Sequence, residues 1–301
     1  MINENPELQS FLSHWFKGST GLIELRLVAN GKAKSYFYDS ISQIPIEKAL
    51  SAKPNVYFGV STRRNENGSK EGVSEVPGLW QDLDGIDYLT GEKQRRAREL
   101  VDKAEGKGKW KDSPQILTPE EFIELMGLVE PGKDLALKAL FELPPHLQPT
   151  FVIDTGKGYQ AYWKFREPIK LNGSNDRDSI ESFNRRLTAF LGADHTTDVS
   201  RVFRLPCTRN VKLKGWSLRT EIIGFHAESQ FNLSDFDWLP EITAFQKEYR
   251  EEKDFRNIPL HIPDRFWELL ETDSKLKETW EGKRQDLHDN SGSGLDMALA
   301  D

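Results

Sequence analysis

Trp80-Gln81-Asp82-Leu83-Asp84-Gly85 is the stretch on which the reading of this chain turns. It closes a strand predicted over Leu79 to Asp84. Side chains alternate faces along a strand, so Asp82 and Asp84 point the same way. Two strand rises put their Cα atoms roughly 6–7 Å apart. Carboxylates that close repel, which raises at least one pKa unless a cation intervenes. Hard divalent ions such as Mg²⁺ and Mn²⁺ prefer such oxygen donors. Read alone, the pair fits a turn acid beside a solvated acid equally well.

The rest of the chain narrows the choice. Its 301 residues suffice for one large domain or two smaller ones. Charged residues make up 30% and hydrophobic ones 37%, a soluble composition. No apolar run reaches membrane-spanning length and no basic-then-apolar leader opens the chain, so a cytoplasmic protein with no membrane partner is expected. The lone Cys207 cannot form an internal disulfide, and six scattered histidines show no ligand spacing. Any metal is therefore expected on carboxylates.

Net charge is −7, but it is uneven. Lys157 to Lys214 holds 12 Lys and Arg against 6 Asp and Glu, a local +6 that leaves −13 for the remainder. A basic segment in an acidic protein suggests a localised polyanion site, although a charged surface element gives the same balance.

Residues 7–17 predict a helix, with Leu8, Phe11, Leu12 and Phe16 on one face. Leu22 to Ala29 and Asn55 to Val60 predict strands, and the polar loop Ser61 to Lys70 carries Arg63, Arg64 and Lys70. Residues 86–148 are rich in lysine and glutamate and read as a helical insertion. Within them, Thr118-Pro119-Glu120-Glu121 is a helix start with a capping box.

Phe151 to Asp154, the turn Thr155-Gly156-Lys157-Gly158 and Tyr159 to Phe165 predict a hairpin. Gln160, Tyr162 and Lys164 share its polar, reachable face. Tyr159, Ala161, Trp163 and Phe165 share its core face. Ile180, Phe183, Leu187 and Phe190 then fall at helical spacing, with Gly192 as the stop. Asp194, Asp198 and the strand-loop Arg201 to Pro206 follow, and Glu221 to Phe225 predicts a further strand. Gln246 to Asn257 reads as a linker. Beyond it a helical segment is expected, with Pro263-Asp264 at a helix start and an apolar end at Leu295 to Asp301 that suits a fragment of a longer protein.

Three islands line up: Leu79 to Asp84, Asp154 to Trp163, and Thr197-Asp198-Val199-Ser200-Arg201-Val202-Phe203-Arg204-Leu205-Pro206-Cys207-Thr208-Arg209-Asn210. Together they resemble the motifs of the archaeo-eukaryotic primase superfamily, the primase-polymerase domains of plasmid, phage and CRISPR-associated replication proteins. The resemblance covers roughly residues 5–245 outside the insertion. It implies an α+β fold, with an antiparallel sheet of the RNA-recognition type fused to a second α/β unit and the active site between them. It also implies a catalytic domain over residues 1–250 and, over 251–301, a linker and the truncated start of a C-terminal helical domain.

By the same resemblance, Asp82, Asp84 and Asp198 are the catalytic ligands of two divalent ions, Mg²⁺ or Mn²⁺. Lys157, Gly158, Gln160, Arg204, Thr208, Asn210 and Lys212 are candidates for the nucleotide, and Arg63, Arg64 and Lys70 for DNA. The implied partners are a single-stranded DNA template and primer, NTPs or dNTPs, and a helicase domain in a longer protein. The implied activity is template-dependent nucleotidyl transfer. A catalytically inactive single-stranded nucleic-acid binding module and a metal-dependent nuclease are the rival readings. Two positions depart from the pattern: Gln160 stands where many relatives have histidine, and Cys207 where glycine is common. The first removes a chargeable group; the second puts a side chain into a turn.

Overall fold

The computed structural model describes residues 5–29, 31–111, 113–241 and 274–280. The chain forms two compact units, Met1–Ile242 and Thr243–Asp301. In chain order the first unit opens with α1 (Pro6–Trp15), β1 (Ile23–Ala29), β2 (Lys32–Tyr38), α2 (Ile46–Leu50), β3 (Asn55–Gly59) and β4 (Thr62–Arg63). There follow β5 (Val73–Asp84), α3 (Gly91–Glu105), α4 (Pro119–Phe141), β6 (Phe151–Asp154), β7 (Gly158–Lys170) and α5 (Ser174–Leu191). β8 (Val202–Arg204), β9 (Arg209–Asn210), β10 (Leu218–Arg219) and β11 (Glu221–Phe225) complete it. In the second unit the described residues form α6 (Ser274–Trp280). The expected linker, the helix start at Pro263-Asp264 and the terminal apolar segment lie outside the described residues.

The strands build two antiparallel sheets and a small ribbon. One sheet has the order β2-β1-β3-β8, the other β11-β6-β7-β5-β4, and β9 pairs with β10. The fold is thus α+β. α1 shows why the sheets associate. Asn5 caps it, accepting the Leu8 N–H at 2.9 Å, and Pro6 fills the first position. Leu8, Phe11, Leu12 and Trp15 recur at helical spacing and are all buried. The Phe11 ring meets Phe58 of β3 at 5.3 Å and Phe151 of β6 at 4.9 Å, so one aromatic core joins both sheets through this helix.

That core changes the reading of the hairpin. Tyr162 and Lys164, expected on a reachable face, are buried, and Gln160 is 5% exposed. Tyr162 packs on Trp15 at 5.1 Å and on Phe203 of β8 at 5.8 Å. The sheet is covered on both faces, so polar alternation along β7 does not mark a solvent face. Gln160 alone of the three lines an open space, at the end where the two sheets part.

Residues 86–148 form a second, smaller core from Ile86, Leu100 and Val129, closed by Leu213 from beyond β9. The capping box at Thr118 is present: its Oγ1 accepts the Glu121 N–H at 3.2 Å, and the Glu121 carboxylate accepts the Thr118 N–H at 3.0 Å. α4 then reaches into the main core through Ala136 and Leu140. At Gly132 it presses on the end of β5, where a Cβ would stand 1.9 Å from the Gly85 carbonyl oxygen. Only glycine permits that approach, which buttresses the strand end carrying Asp84. α5 ends at Gly192, whose φ of +74° gives the left-handed stop expected of it. Phe190 departs from its expected buried face; it is 41% exposed and meets Trp238 edge-on at 5.1 Å. Among the described residues, no helix is long and apolar enough to cross a membrane.

Candidate active site

β5 and β7 pair so that Asp82 lies opposite Gln160 and Asp84 opposite Gly158. Opposed residues share a sheet face, so Gln160 joins the two acids beside the four-stranded sheet. The space between the sheets there is a cavity of about 310 Å³. Its acids are Asp82, Asp84 and Asp194; its cations are Lys157, Arg201, Arg204 and Lys212; Tyr57, Gln160 and Asn210 add polar groups.

Burial pushes the Asp82 carboxyl up to about 7, and the charges of Asp84 and Asp194 add to the shift against the pull of Lys212 and Arg204. Without metal, the folded chain therefore holds a proton that the unfolded chain has released between pH about 4 and about 7. Stability from this group is full below that window and falls as pH rises through it. In chelator, Asp82→Asn should stabilise the protein by about 1–3 kcal/mol at pH 8 and by little at pH 4. Thermal melts at the two pH values check this; an equal effect at both would contradict it.

The third acid in the cavity lining is Asp194. Asp198 does not line the cavity. Its carboxylate accepts the Ser200 hydroxyl at 2.7 Å and pairs with Arg201 at 3.0 Å. Asp194 takes its place in the lining. The Gly192 stop reverses the chain so that the Asp194 N–H donates to the Asp82 carbonyl at 2.8 Å, binding the loop to β5. The signal was present in sequence: an acid two residues after the helix-stopping glycine.

The nucleotide candidates divide. Arg204 donates to Asn55 Oδ1 at 2.6 Å and to the Tyr57 hydroxyl at 3.1 Å, and lies over the Tyr57 ring at 4.9 Å. Asn55 and Tyr57, which sequence reading passed over, thus fix its guanidinium at the cavity wall. Asn210 lines the cavity and donates to the Thr155 carbonyl at 2.9 Å. Lys212 is exposed at the rim. Lys157 lines the cavity but is paired with Glu105 of α3 at 2.8 Å. Burial alone would lower its pKa; Glu105 and Asp84 instead carry it above the ordinary value.

Two candidates serve the fold. Thr208 is 3% exposed and its hydroxyl donates to the Leu205 carbonyl at 2.6 Å, inside the turn. Gly158 lies outside the cavity lining, and a Cβ on it would stand 2.1 Å from the Leu83 carbonyl oxygen. Its lack of a side chain lets β7 close on β5.

The DNA candidates divide as well. Arg63 is fully buried, 2.8 Å from the fully buried Glu24 of β1, and donates to the Ser200 carbonyl at 3.0 Å. No DNA reaches it; Arg63 belongs to β4, and its side chain points inward onto Glu24. Arg64 and Lys70 line a separate cavity near the start of β5, at the opposite end of that strand from Asp82.

Cys207 has a φ of +63°, the left-handed conformation that glycine would adopt without strain. Burial, with Glu7 beside it, pushes its thiol up to about 11, so it is no nucleophile. Cys207→Gly should raise stability by about 1 kcal/mol in urea unfolding; a loss of stability would show that packing outweighs the strain.

A site for divalent ions is tested by the donor set. Asp82 and Asp84 face one cavity, Asp82 half-buried beside like charges, and carboxylate oxygens are the donors that hard cations prefer. Among the described residues, no group of three His, Cys, Asp or Glu side chains is placed to hold a metal ion. An ion held by the Asp82 and Asp84 pair would need water and substrate oxygens to complete its coordination.

No family model matches the chain, and no curated protein matches it. Two solved structures are similar. The crystal structure of primase RepB' shares 15% identity at a TM-score of 0.40, covering 97% of this chain and 86% of the other. The crystal structure of the catalytic domain of primase RepB' in complex with initiator DNA shares 14% identity at a TM-score of 0.40, covering 83% of this chain and 99% of the other.

Proposed function

We propose that this chain is a template-dependent nucleotidyltransferase of the primase-polymerase type, joining nucleoside triphosphates on single-stranded DNA. The observation that carries this reading is the cavity between the sheets, where Asp82, Asp84 and Asp194 share one space with Arg204, Lys157 and Lys212. Acids alone would suit a nuclease. Acids with cations around them suit a metal-bound triphosphate, whose charge needs both. In this reading the four-stranded sheet is the RNA-recognition-type half of the core, and residues 1–250 are the catalytic domain.

Asp82 and Asp84, with Asp194 at the rim, would hold two Mg²⁺ or Mn²⁺ ions. When bound, these supply activation of the attacking hydroxyl and neutralisation of the triphosphate and leaving pyrophosphate. The protein's own groups do the positioning. Arg204, held by Asn55 and stacked on Tyr57, offers a fixed fork to phosphate oxygens. Lys212 adds a mobile charge at the rim. Gln160 accepts the Tyr162 hydroxyl through Oε1 at 3.1 Å, which leaves its amide nitrogen free to donate into the cavity. It replaces the expected histidine with a donor that carries no charge, and phosphate binding then rests on Arg204 and the lysines.

A labelled primer on a single-stranded template, with dNTPs or NTPs and Mg²⁺ or Mn²⁺, should give extended product that EDTA abolishes. A bound but unextended primer would make the chain a binding module, and a shortened one a nuclease.

A further inference from the structure

A second cavity of about 310 Å³ lies by the start of α5, lined by Arg64, Lys70, Glu71, Arg177 and the backbone of residues 171–174. Arg64 is fixed there: its Nε donates to the Val73 carbonyl at 3.1 Å and one terminal nitrogen to the Leu171 carbonyl. Arg177 lines the cavity with no ion-pair partner among the described residues.

From this cavity a line of charge runs beside α5. Lys70 pairs with Glu181 at 2.9 Å, and Arg185 stands 3.9 Å from the same carboxylate. Residues 177, 181 and 185 are four apart and form one stripe of the helix. Glu181 accepts the Val199 N–H at 3.1 Å, which ties the stripe to the loop carrying Arg201. Arg201 lines the catalytic cavity. The route thus has five cations, against the acids Glu71, Asp176, Glu181 and Asp198, of which Asp176 accepts the Asn172 N–H beside the anchor cavity. The two ends of the route lie at opposite ends of β5, where Val73 and Asp82 are nine residues apart, about 30 Å along the strand.

We propose that this line is a binding track for the phosphodiester backbone of single-stranded DNA, with Arg64 and Arg177 as its far anchor; the choice of occupant rests on the polymerase reading of the catalytic cavity. Arginines suit phosphodiesters because their donors are fixed in a fork. The anchor cavity has no aromatic side chain in its lining, so the track positions the strand without reading bases. A strand at the 3.4 Å duplex rise crosses about 30 Å in about nine nucleotides, and in fewer when stretched.

The test is fluorescence anisotropy with labelled oligo-dT of 4, 8, 12 and 16 nucleotides at several salt concentrations. Affinity should rise at least tenfold between 4 and 12 nucleotides. Arg64→Ala/Arg177→Ala should erase that rise and lower the log–log salt slope by about 1.4, the share of two single-strand phosphate contacts. Arg177→Glu alone, at a position with no ion pair to break, should remove most of the rise, and Arg177→Lys should keep it. A rise and slope unchanged in folded Arg177→Glu would overturn the proposal. So would full affinity already reached at 4 nucleotides. The two readings separate cleanly. A wild type with the length step but no nucleotide incorporation loses the polymerase and keeps the track. Incorporation without the length step does the reverse.

Discussion

Asp82→Asn and Asp84→Asn should each lower nucleotide incorporation by about a thousandfold or more, equivalent to ~4 kcal/mol of transition-state stabilisation. Binding of single-stranded DNA should stay within about twofold. The argument is electrostatic. Amides keep the shape of the side chains but remove the charge that attracts a divalent ion, and they cannot replace a carboxylate as an anionic ligand. Burial makes the loss at Asp82 severe, since its carboxyl is charged at neutral pH only at a cost that a nearby cation would offset. DNA binding rests on other residues, the cations beside α5, and so survives. Incorporation rates and anisotropy measured on the same preparations check both halves. A variant that keeps more than a tenth of wild-type incorporation would remove its acid from the chemistry.

Arg63→Ala should destabilise the fold by about 3–5 kcal/mol, the cost of leaving a buried partner charge uncompensated. Glu24 and Arg63 are both fully buried, and Glu24 is also bonded to Arg26 and Ser35. Burial alone would raise the Glu24 pKa; Ser35, Arg63 and Arg26 together hold it below the ordinary carboxylate value. With Arg63 gone, Arg26 remains, but it is a quarter exposed and lies on one side only. Replacing both partners with apolar residues, Arg63→Met with Glu24→Leu, should be far milder, because no buried charge is then stranded. Urea unfolding of the single and double variants measures this. A loss under 1 kcal/mol for Arg63→Ala would show that the pair is not structural.

Much of the fold was legible, and the reasons are local. α1 carried a four-residue apolar stripe after a capping Asn, and the Thr118 capping box opened a real helix. Gly192 stopped α5 because only a residue at ease in the left-handed region ends a helix there. β2 was missed because Lys32–Tyr38 opens on polar, exposed residues at a sheet edge, where no burial pattern is required. α4 runs continuously through Pro131 and Gly132, and Gly132 packs on Gly85.

The site was legible along each strand and not across loops. That Asp82 and Asp84 share a face follows from strand periodicity, while Gln160 came with the resemblance and is set opposite Asp82 by the pairing of β5 with β7. Asp194 in place of Asp198, Arg63 turned inward, and Arg204 fixed by Asn55 and Tyr57 are long-range facts. No spacing in the sequence states which of two acids four residues apart faces a cavity. That is decided by the stop at Gly192 and by the pairing of Asp198 with Arg201.

The account places the chemistry in the cavity between the two sheets, and comparing Asp194→Asn with Asp198→Asn tests that placement most directly. Single-nucleotide incorporation on a primed single-stranded template, at saturating Mn²⁺, is the measurement. The prediction is that Asp194→Asn falls at least a hundredfold, while Asp198→Asn, which lies outside the cavity, keeps at least a tenth of wild-type incorporation. The reverse order, with Asp198→Asn inactive and Asp194→Asn near wild type, would contradict it.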